Sequence, residues 1–371
     1  MGVNQISFGK NIAIRTSSEG LLGPIRSLKT VLLASLIFLL FAPLSWSQSS
    51  SFEDPKPVPV LSGGAGFITA FEGGEPHLEP LLAPVLLLPL GDRWLIESRA
   101  EFESDMVQLP GGNSFHGKIE KHVQYAQLDF IANPYLTVTA GRFLLPFGIF
   151  NERLYPVWVR NLQTDPLIFP IATGPSGAGT GGMLRGGFKA TSHINFNYAA
   201  YFSTLDTNSP VDSDRLAGIR AGIFLPHRRL EIGGSFQHLL QDVRTNSFGF
   251  HGEWQPLAIP LDLRAEYARA ANGSGYWIES AYRLSQIPFW QHGLRHAQVV
   301  ARMQQFFADD LPNDSLPSAK TNFFEFGTNY YFIDGFRATA SYGRQISDVD
   351  TKNIWTIGLT YRFAFPLGPG T

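Results

Sequence analysis

The sequence predicts an all-β fold, a transmembrane antiparallel β-barrel of about sixteen strands whose long third loop folds into the lumen. Three observations lead to this prediction. Runs of about ten residues alternate apolar and polar side chains along most of the chain. The connections between these runs alternate short and long, as they do in barrels that cross an outer membrane. The last run ends in aromatic residues close to the end of the sequence.

The composition argues against several classes of protein. The 371-residue chain has no cysteine, which argues against a disulfide framework, a thiolate metal site and a lipid-anchored N-terminus. Aromatic residues make up 13% of the chain and charged residues 16%, and the 37 glycines suit tight turns between strands. The 29 basic and 31 acidic residues nearly balance, so we expect no nucleic-acid partner.

The first segment has the features of an export signal. Four basic residues precede the apolar run 31–42, and the small residues Ser45 and Ser47 then occupy the −3 and −1 positions of a cleavage site. The run is too short to cross a hydrocarbon core of about 30 Å as a helix, although a membrane anchor is the alternative. We therefore expect a signal peptide over 1–47, a short periplasmic lead-in over 48–58 and the barrel over 59–371.

Residues 93–104 illustrate the two-residue period of a strand. Trp94 and Phe102 share one face, whereas Glu97 and Arg99 share the other. A soluble β-sandwich alternates in the same way, but its strands are usually shorter, about 5–6 residues. In a barrel embedded in lipid, the apolar face points outward and the charged face lines a wet lumen. The alternating loop lengths favour the barrel, because a sandwich has no reason to show them.

The alternating runs define about sixteen strands, an even number as in bacterial barrels. The predicted strands are residues 59–71, 78–90, 93–107, 119–131, 135–143, 181–190, 194–204, 214–225, 229–240, 246–256, 260–270, 275–284, 294–306, 321–333, 336–346 and 353–365. Tight connections, such as the one at Gly91-Asp92, alternate with longer polar ones, such as 205–213. The connection 285–293 is longer than its place in this alternation predicts.

Aromatic side chains near strand ends are predicted to lie at the level of the lipid headgroups, with a place in a core as the alternative for each. These residues are Phe143, Phe224, Trp254, Phe332 and Phe363. The final strand carries Tyr361, Phe363 and Phe365, and this aromatic end resembles the assembly signal of outer-membrane barrels.

The connection after the fifth predicted strand, residues 144–180, is the longest. It is rich in proline, glycine and aromatic residues, and it includes the apolar side chains of Ile149, Tyr155 and Trp158. Loops of this length are rarely structureless in a compact protein. We therefore expect this loop to fold into the lumen and narrow it, with a cap on the barrel surface as the alternative.

Charged side chains that face the lumen would select a solute that passes through it. The alternation points about ten basic and about ten acidic residues inward. The basic ones are Arg93, Arg99, Arg185, Lys189, Arg220, Arg264, Arg283, Arg302, Arg337 and Arg362, and the acidic ones are Glu97, Glu101, Glu103, Asp129, Glu231, Glu253, Asp262, Glu266, Glu279 and Glu325. This balance suits a general pore better than a dedicated anion channel, which needs an excess of cations.

The candidate residues for lining or constricting the pore come from both the strands and the long loop. They are Glu152, Arg153, Arg160, Arg99, Glu101, Arg185, Lys189, Arg220, Arg264, Arg302 and Arg337. For any one of them, the alternative is that opposed arginine and glutamate side chains brace the wall.

Catalytic and metal-binding motifs find little support. The sequence has no Gly-x-Ser-x-Gly, His-Glu-x-x-His or P-loop pattern. Asp309, Asp310 and Asp314 share one loop and could hold Ca²⁺, but their spacing matches no calcium loop and a solvated acidic loop is the favoured interpretation. We predict no catalytic site, no metal and no cofactor.

Two segments resemble the phosphate-selective porin O and P family. Residues 139–148 (TAGRFLLPFG) are similar to the strand-and-loop entry of that family, and residues 325–342 (EFGTNYYFIDGFRATASY) to its penultimate hairpin. The resemblance implies a sixteen-stranded trimeric porin with a constricting third loop. It also implies anions such as phosphate as solutes, although selective members line the pore with arginine and lysine, whereas this chain balances the two signs.

These observations predict a passive channel in the outer membrane, with lipid around it and small hydrophilic solutes or ions inside it. Two alternatives stay open. One is a structural or adhesive barrel that residues 144–180 plug, and the other is an outer-membrane hydrolase.

Overall fold

A computed structural model describes residues 58–72, 75–108, 115–174, 177–205, 214–241, 244–309 and 316–368. The predicted signal peptide 1–47 and all but the last residue of the lead-in 48–58 lie outside the described residues, as do Asp310 and Asp314. Among the described residues, no helix combines the length and apolar character needed to span a membrane.

Sixteen antiparallel strands close into one barrel, because β1 pairs with both β2 and β16. The strands are Val60–Glu72 (β1), Glu75–Leu90 (β2), Trp94–Gln108 (β3), Phe115–Asn133 (β4), Leu136–Leu144 (β5), Ala178–Lys189 (β6), Asn195–Thr204 (β7), Arg215–Leu225 (β8), Leu230–Leu239 (β9), Asn246–Trp254 (β10), Leu261–Ala270 (β11), Gly273–Arg283 (β12), Ala297–Ala308 (β13), Thr321–Ile333 (β14), Phe336–Ser347 (β15) and Thr351–Pro366 (β16). Each predicted strand overlaps one of them, so the predicted fold class and strand order are confirmed.

The two faces of the barrel wall differ in polarity, as the sequence period predicts. On β16, Trp355, Ile357 and Leu359 point outward and are more than half exposed, whereas Thr356 and Thr360 point inward and are buried. Large apolar side chains are exposed in the same way around the outer surface. Examples are Phe67, Leu82, Phe102, Val123, Leu184, Phe202, Ile219, Ile232, Phe250, Ile278, Met303 and Phe326. An apolar exterior around a polar interior is the arrangement that lipid requires.

Four strand pairs depart from a regular ladder, and in two of them, β4 with β5 and β14 with β15, the register shifts beside a tight turn. Strand β2 pairs continuously with β1, but its pairing with β3 is interrupted beside Pro80 and Pro84, which have no N–H to donate. Between β3 and β4, the register shifts after Arg99, so that Gln124 is an extra residue on β4. Such a bulge exchanges the two faces of the strand beyond it, because side chains alternate with a period of two.

The predicted headgroup position is wrong for Phe143. Its side chain is fully buried on the inner face, where it packs with Leu145, Met183, Tyr201 and Leu216. The reason is that the chain turns inward directly after β5, so this end of the strand is covered from inside. The rings of Trp254 and Phe332 are 41% and 54% exposed, as a position at the barrel exterior requires.

The longest loop, residues 145–177 and hereafter loop 3, folds into the lumen as predicted. It contains one π-helical turn, Phe150–Leu154, and one 3-10 turn, Phe169–Ile171. Apolar side chains of the loop pack on inward side chains of β11 to β13 in a single cluster. Its buried members include Phe147, Ile149, Phe150, Leu154, Ile168, Ile171, Ala268, Trp277 and Phe306. The largest apolar core among the described residues therefore lies inside the barrel, between loop 3 and the wall.

Candidate functional site

Loop 3 begins with a backbone turn that a wall carboxylate holds in place. The N–H groups of Ile149 and Phe150 donate to the same Glu266 oxygen at 3.1 and 3.2 Å, and the Gly148 N–H donates to the Ser235 hydroxyl at 3.1 Å. Gly148 has φ +67, and a Cβ there would lie 1.8 Å from the Glu266 carboxylate. Only glycine therefore allows the loop to approach this close to β11.

The middle of loop 3 is tied to the next strands around the wall. The Asn161 amide donates to Glu279 on β12 at 2.8 Å, and the Thr164 hydroxyl donates to Glu325 on β14. Further bonds run from wall side chains to loop carbonyls. They are Arg302 to Thr164, Asn329 to Asn161, Arg337 to Val157 and Arg160, and Gln237 to Ala172. Strands β8 to β15, which carry most of these anchors, are called the braced wall below.

Ion pairs join the charged side chains of the braced wall to one another and to the loop. Arg153 of the loop binds both oxygens of Glu231 at 2.8 and 2.9 Å, a bidentate geometry. Arg220 on β8 pairs with Glu152 of the loop at 2.9 Å and with Glu231 at 3.4 Å. Deeper in the wall, Arg302 is only 3% exposed. The other pairs of this wall include Arg302 with Glu279, and Arg264 with Asp262, Glu253 and Glu279.

The tip of loop 3 crosses to β1, β2 and β3. The Arg99 guanidinium lies 5.5 Å from the centre of the Tyr155 ring and 5.2 Å from that of Trp158, within cation–π range. The Trp158 ring lies directly over Gly64 on β1, where a Cβ would fall 2.3 Å from ring carbons. Burial among neighbouring rings raises the pKa of the Tyr155 phenol well above its usual value, so this ring stays neutral beside Arg99.

A cavity of about 480 Å³ remains between the loop and the opposite side of the barrel. Its lining residues come from β16, from β1 to β5, from the turn between β14 and β15, and from loop 3. These strands, β16 and β1 to β5, are called the cavity wall below. Arg99, Tyr125 and Arg362 face Glu152, Pro156 and Trp158 across the cavity. Arg362 is exposed and has no ion pair with a described residue.

The structure places the eleven predicted site residues in three groups. The first group lies at contacts between loop 3 and the braced wall or within that wall, and comprises Arg153, Arg160, Arg220, Arg264, Arg302 and Arg337. The second group lies on the cavity side and comprises Arg99, Glu101 and Glu152. The third group comprises Arg185, which pairs with Asp129 at 2.9 Å, and Lys189, which is exposed at the end of β6.

Sequence reasoning did not select Glu266, Gly64 or Arg362 as site residues. Glu266 and Arg362 were predicted to point inward, but no local motif distinguishes an anchor of the loop from any other inward charge. Gly64 shows no signal at all in the sequence, because its importance comes from Trp158, which lies 94 positions later.

Comparisons with known proteins give a fold but no family. No family model matches the chain, and no curated protein matches its sequence. Solved structures do match. OprB of Pseudomonas putida has a TM-score of 0.58 at 8% identity, over 82% of this chain and 93% of that one. The anion-selective porin of Comamonas acidovorans has a TM-score of 0.55 at 10% identity, over 83% of this chain and 100% of that one. OmpF of Salmonella typhi, in complex with daunomycin, has a TM-score of 0.55 at 13% identity, over 82% of this chain and 97% of that one.

The chain therefore has the fold of the outer-membrane porins. Sequence identities of 8% to 13% establish this fold alone. The narrower resemblance to the phosphate-selective porin O and P family stays a prediction, since the matching structures support the porin fold in general.

Proposed function

We propose that this protein is a porin, a water-filled outer-membrane channel for the passive diffusion of small hydrophilic solutes and ions. The observation that carries the proposal is that loop 3 is hydrogen-bonded along one side of the barrel, while on the other side its tip packs against β1 to β3. The loop is bonded along β8 to β15, and a cavity lined by charged and aromatic groups remains between it and the cavity wall. A loop in this position narrows a channel without needing to fill it.

The charges around the passage favour weak ion selectivity. On the braced wall, arginine side chains are neutralised by carboxylates or bonded to loop carbonyls, as Arg302 and Arg337 are. On the cavity side, the free cation Arg362 lies across from Glu152, which is itself paired with Arg220. A strongly selective pore needs one sign of charge to dominate the path, and neither sign does here. Phosphate and other anions are therefore solutes among many in this proposal.

The proposal includes export by a cleaved signal peptide, insertion into the outer membrane and assembly as a homotrimer. The apolar exterior supports the lipid environment. The similarity to a trimer form of OmpT from Vibrio cholerae supports the oligomer, with a TM-score of 0.54 at 13% identity over 84% of this chain and all of that one. Sedimentation of the purified protein in detergent would test the trimer, and a monomeric mass would contradict it.

The first experiment is the conductance of the refolded protein in a planar lipid bilayer, with the reversal potential measured in a KCl gradient. Discrete conductance steps with a small reversal potential are the expected result. A large reversal potential of the anion-selective sign, together with block by phosphate, would replace the general pore by an anion-selective one.

Absence of conductance from a folded barrel would contradict the porin proposal. That result would support the alternative of a structural barrel closed by loop 3. Far-UV circular dichroism of the same sample must show a β-sheet spectrum, so that a misfolded sample is not counted as a closed one.

A further inference from the structure

We propose that the lumen wall holds a binding site for one divalent transition-metal ion, formed by Glu103, Glu120 and His122. The three side chains come from the neighbouring strands β3 and β4, and Glu103 lies directly opposite Glu120 in the strand register. Their potential ligand atoms all lie within 4.8 Å of one another. The site does not depend on the proposed function, but its effect on conductance does.

The spacing of these atoms fits a metal ion. His122 Nε2 lies 3.1 Å from an oxygen of Glu120 and 3.7 Å from an oxygen of Glu103. A tetrahedral zinc ion with bonds of about 2.0–2.2 Å holds its ligands roughly 3.4 Å apart. Small side-chain rotations therefore suffice to place an ion among the three groups. One imidazole and two carboxylates are a donor set for Zn²⁺ and similar divalent ions, with open coordination positions left for water.

The β-bulge at Gln124 is what turns this site toward the lumen. Below the bulge, the odd-numbered residues Gln127 and Asp129 are buried on the inner face. Beyond it the faces exchange, so that Val123 is 52% exposed on the outer surface while the even-numbered residues point inward. Without this extra residue, Glu120 and His122 would face lipid. Bulges are common beside functional sites because they re-aim side chains in this way.

The surrounding charges attract cations to the same place. Three more carboxylates lie on neighbouring inward positions, on Glu79, Glu101 and Asp105, and the last contacts His77 at 3.3 Å. Three cations lie beside them, and one of these, Arg160 of loop 3, lies near Glu79 and pairs with Asp165. Lys118 contacts the second oxygen of Glu120 at 2.8 Å and is 71% exposed, and Arg99 pairs with Glu101. Acidic groups outnumber basic ones, so the local field favours a positive ion.

The test is isothermal titration calorimetry of the purified protein with ZnCl₂. The expected result is one Zn²⁺ per chain, with affinity reduced about tenfold or more in His122→Ala and in Glu103→Gln. His116→Ala is the matched control, because His116 is an exposed histidine of the same strand and lies outside the cluster. Lys118→Gln is expected to bind more tightly, since it removes the cation that competes for Glu120.

Two results would overturn the proposal: no stoichiometric binding by the unaltered protein, or equal binding by His122→Ala. Far-UV circular dichroism of each variant confirms that the barrel is folded.

A bilayer measurement then separates this proposal from the proposed function. The site lies in the half of the lumen nearer the long loops, so Zn²⁺ added on that side is expected to lower the conductance of the unaltered channel and to leave that of His122→Ala unchanged. A protein that binds Zn²⁺ without conducting would contradict the porin and retain the site.

Discussion

The braced wall and the cavity wall both carry inward charged side chains, but these side chains differ in burial and in contacts. On the braced wall, inward charges such as Arg302 and Glu279 are 3% and 4% exposed and contact each other or loop 3. On the cavity wall, Arg362 is exposed and borders the cavity. The comparison shows that an inward position alone does not make a charge part of a pore. A buried partner, supplied by loop 3 or by a neighbouring strand as Arg185 is for Asp129, decides whether an inward charge braces the wall or faces water.

Removal of loop 3 is expected to have the largest effect on the difference between the two walls. Deletion of residues 150–175 removes the partner of the braced wall and exposes its charges to water. We expect single-channel conductance to rise severalfold, because the narrowing element is gone. Bilayer recordings check this, with circular dichroism to confirm the barrel. Unchanged conductance would mean that loop 3 is not the constriction.

Loss of a buried ion-pair partner on the braced wall is expected to reduce stability more than loss of an exposed charge on the cavity wall. In Arg302→Ala the Glu279 carboxylate loses its partner at 3.0 Å but keeps the Asn161 amide and Arg264, so we expect a loss below the about 3–5 kcal/mol of a buried charge left with no partner. Arg362→Ala is the control, with an expected change within about 0.5 kcal/mol. Equilibrium unfolding in denaturant measures both. Equal losses for the two variants would remove the distinction between the walls.

The anchor at Glu266 can be weakened without deleting the loop. Glu266→Leu leaves two buried backbone N–H groups without their acceptor, which costs about 1–3 kcal/mol for each. We expect noisier and larger conductance than in the unaltered protein, but a smaller increase than the deletion gives. Glu266→Gln retains an acceptor oxygen and is the matched control. Identical current traces for the leucine and glutamine variants would show that this anchor does not hold the loop.

A smaller effect is expected at the tip of loop 3, where the Trp158 ring packs against Gly64 on β1. Gly64→Ala places a methyl group 2.3 Å from the ring, so the ring must move at a cost of about 1–3 kcal/mol. Gly66→Ala is the control, because its Cβ would lie no closer than 3.5 Å to a neighbour. Unfolding free energies distinguish the two variants, and similar values would show that the tip adapts freely.

The smallest expected effect is on ion selectivity. Arg362→Gln removes an exposed cation from the cavity lining and is expected to shift the reversal potential by a few millivolts toward cations. Arg344→Gln is the control, since Arg344 is exposed on the outward face of β15. A shift of equal size in both variants would show that Arg362 does not face the conducting path.

Much of the fold was predictable because the two faces of a strand appear in the sequence as alternating apolar and polar residues. The alternation of Trp355, Thr356 and Ile357 is visible without any structure, and lipid outside with water inside decides which face is which. The length and apolar content of residues 144–180 likewise sufficed to predict that they fold inward. Such features can be read from a short stretch of sequence, or they depend on the lipid, which surrounds the barrel on all sides.

Only the tertiary structure decided which inward groups meet. Glu266 anchors residues 149 and 150 across more than a hundred positions of sequence, and a period of two contains no information on such partners. The same limit hid the cluster of Glu103, Glu120 and His122. Counted from Asp129 with an unbroken period, His122 would point outward, and the bulge at Gln124 reverses it. Sequence period thus determines faces within a strand, whereas register, bulges and the path of loop 3 determine contacts between strands.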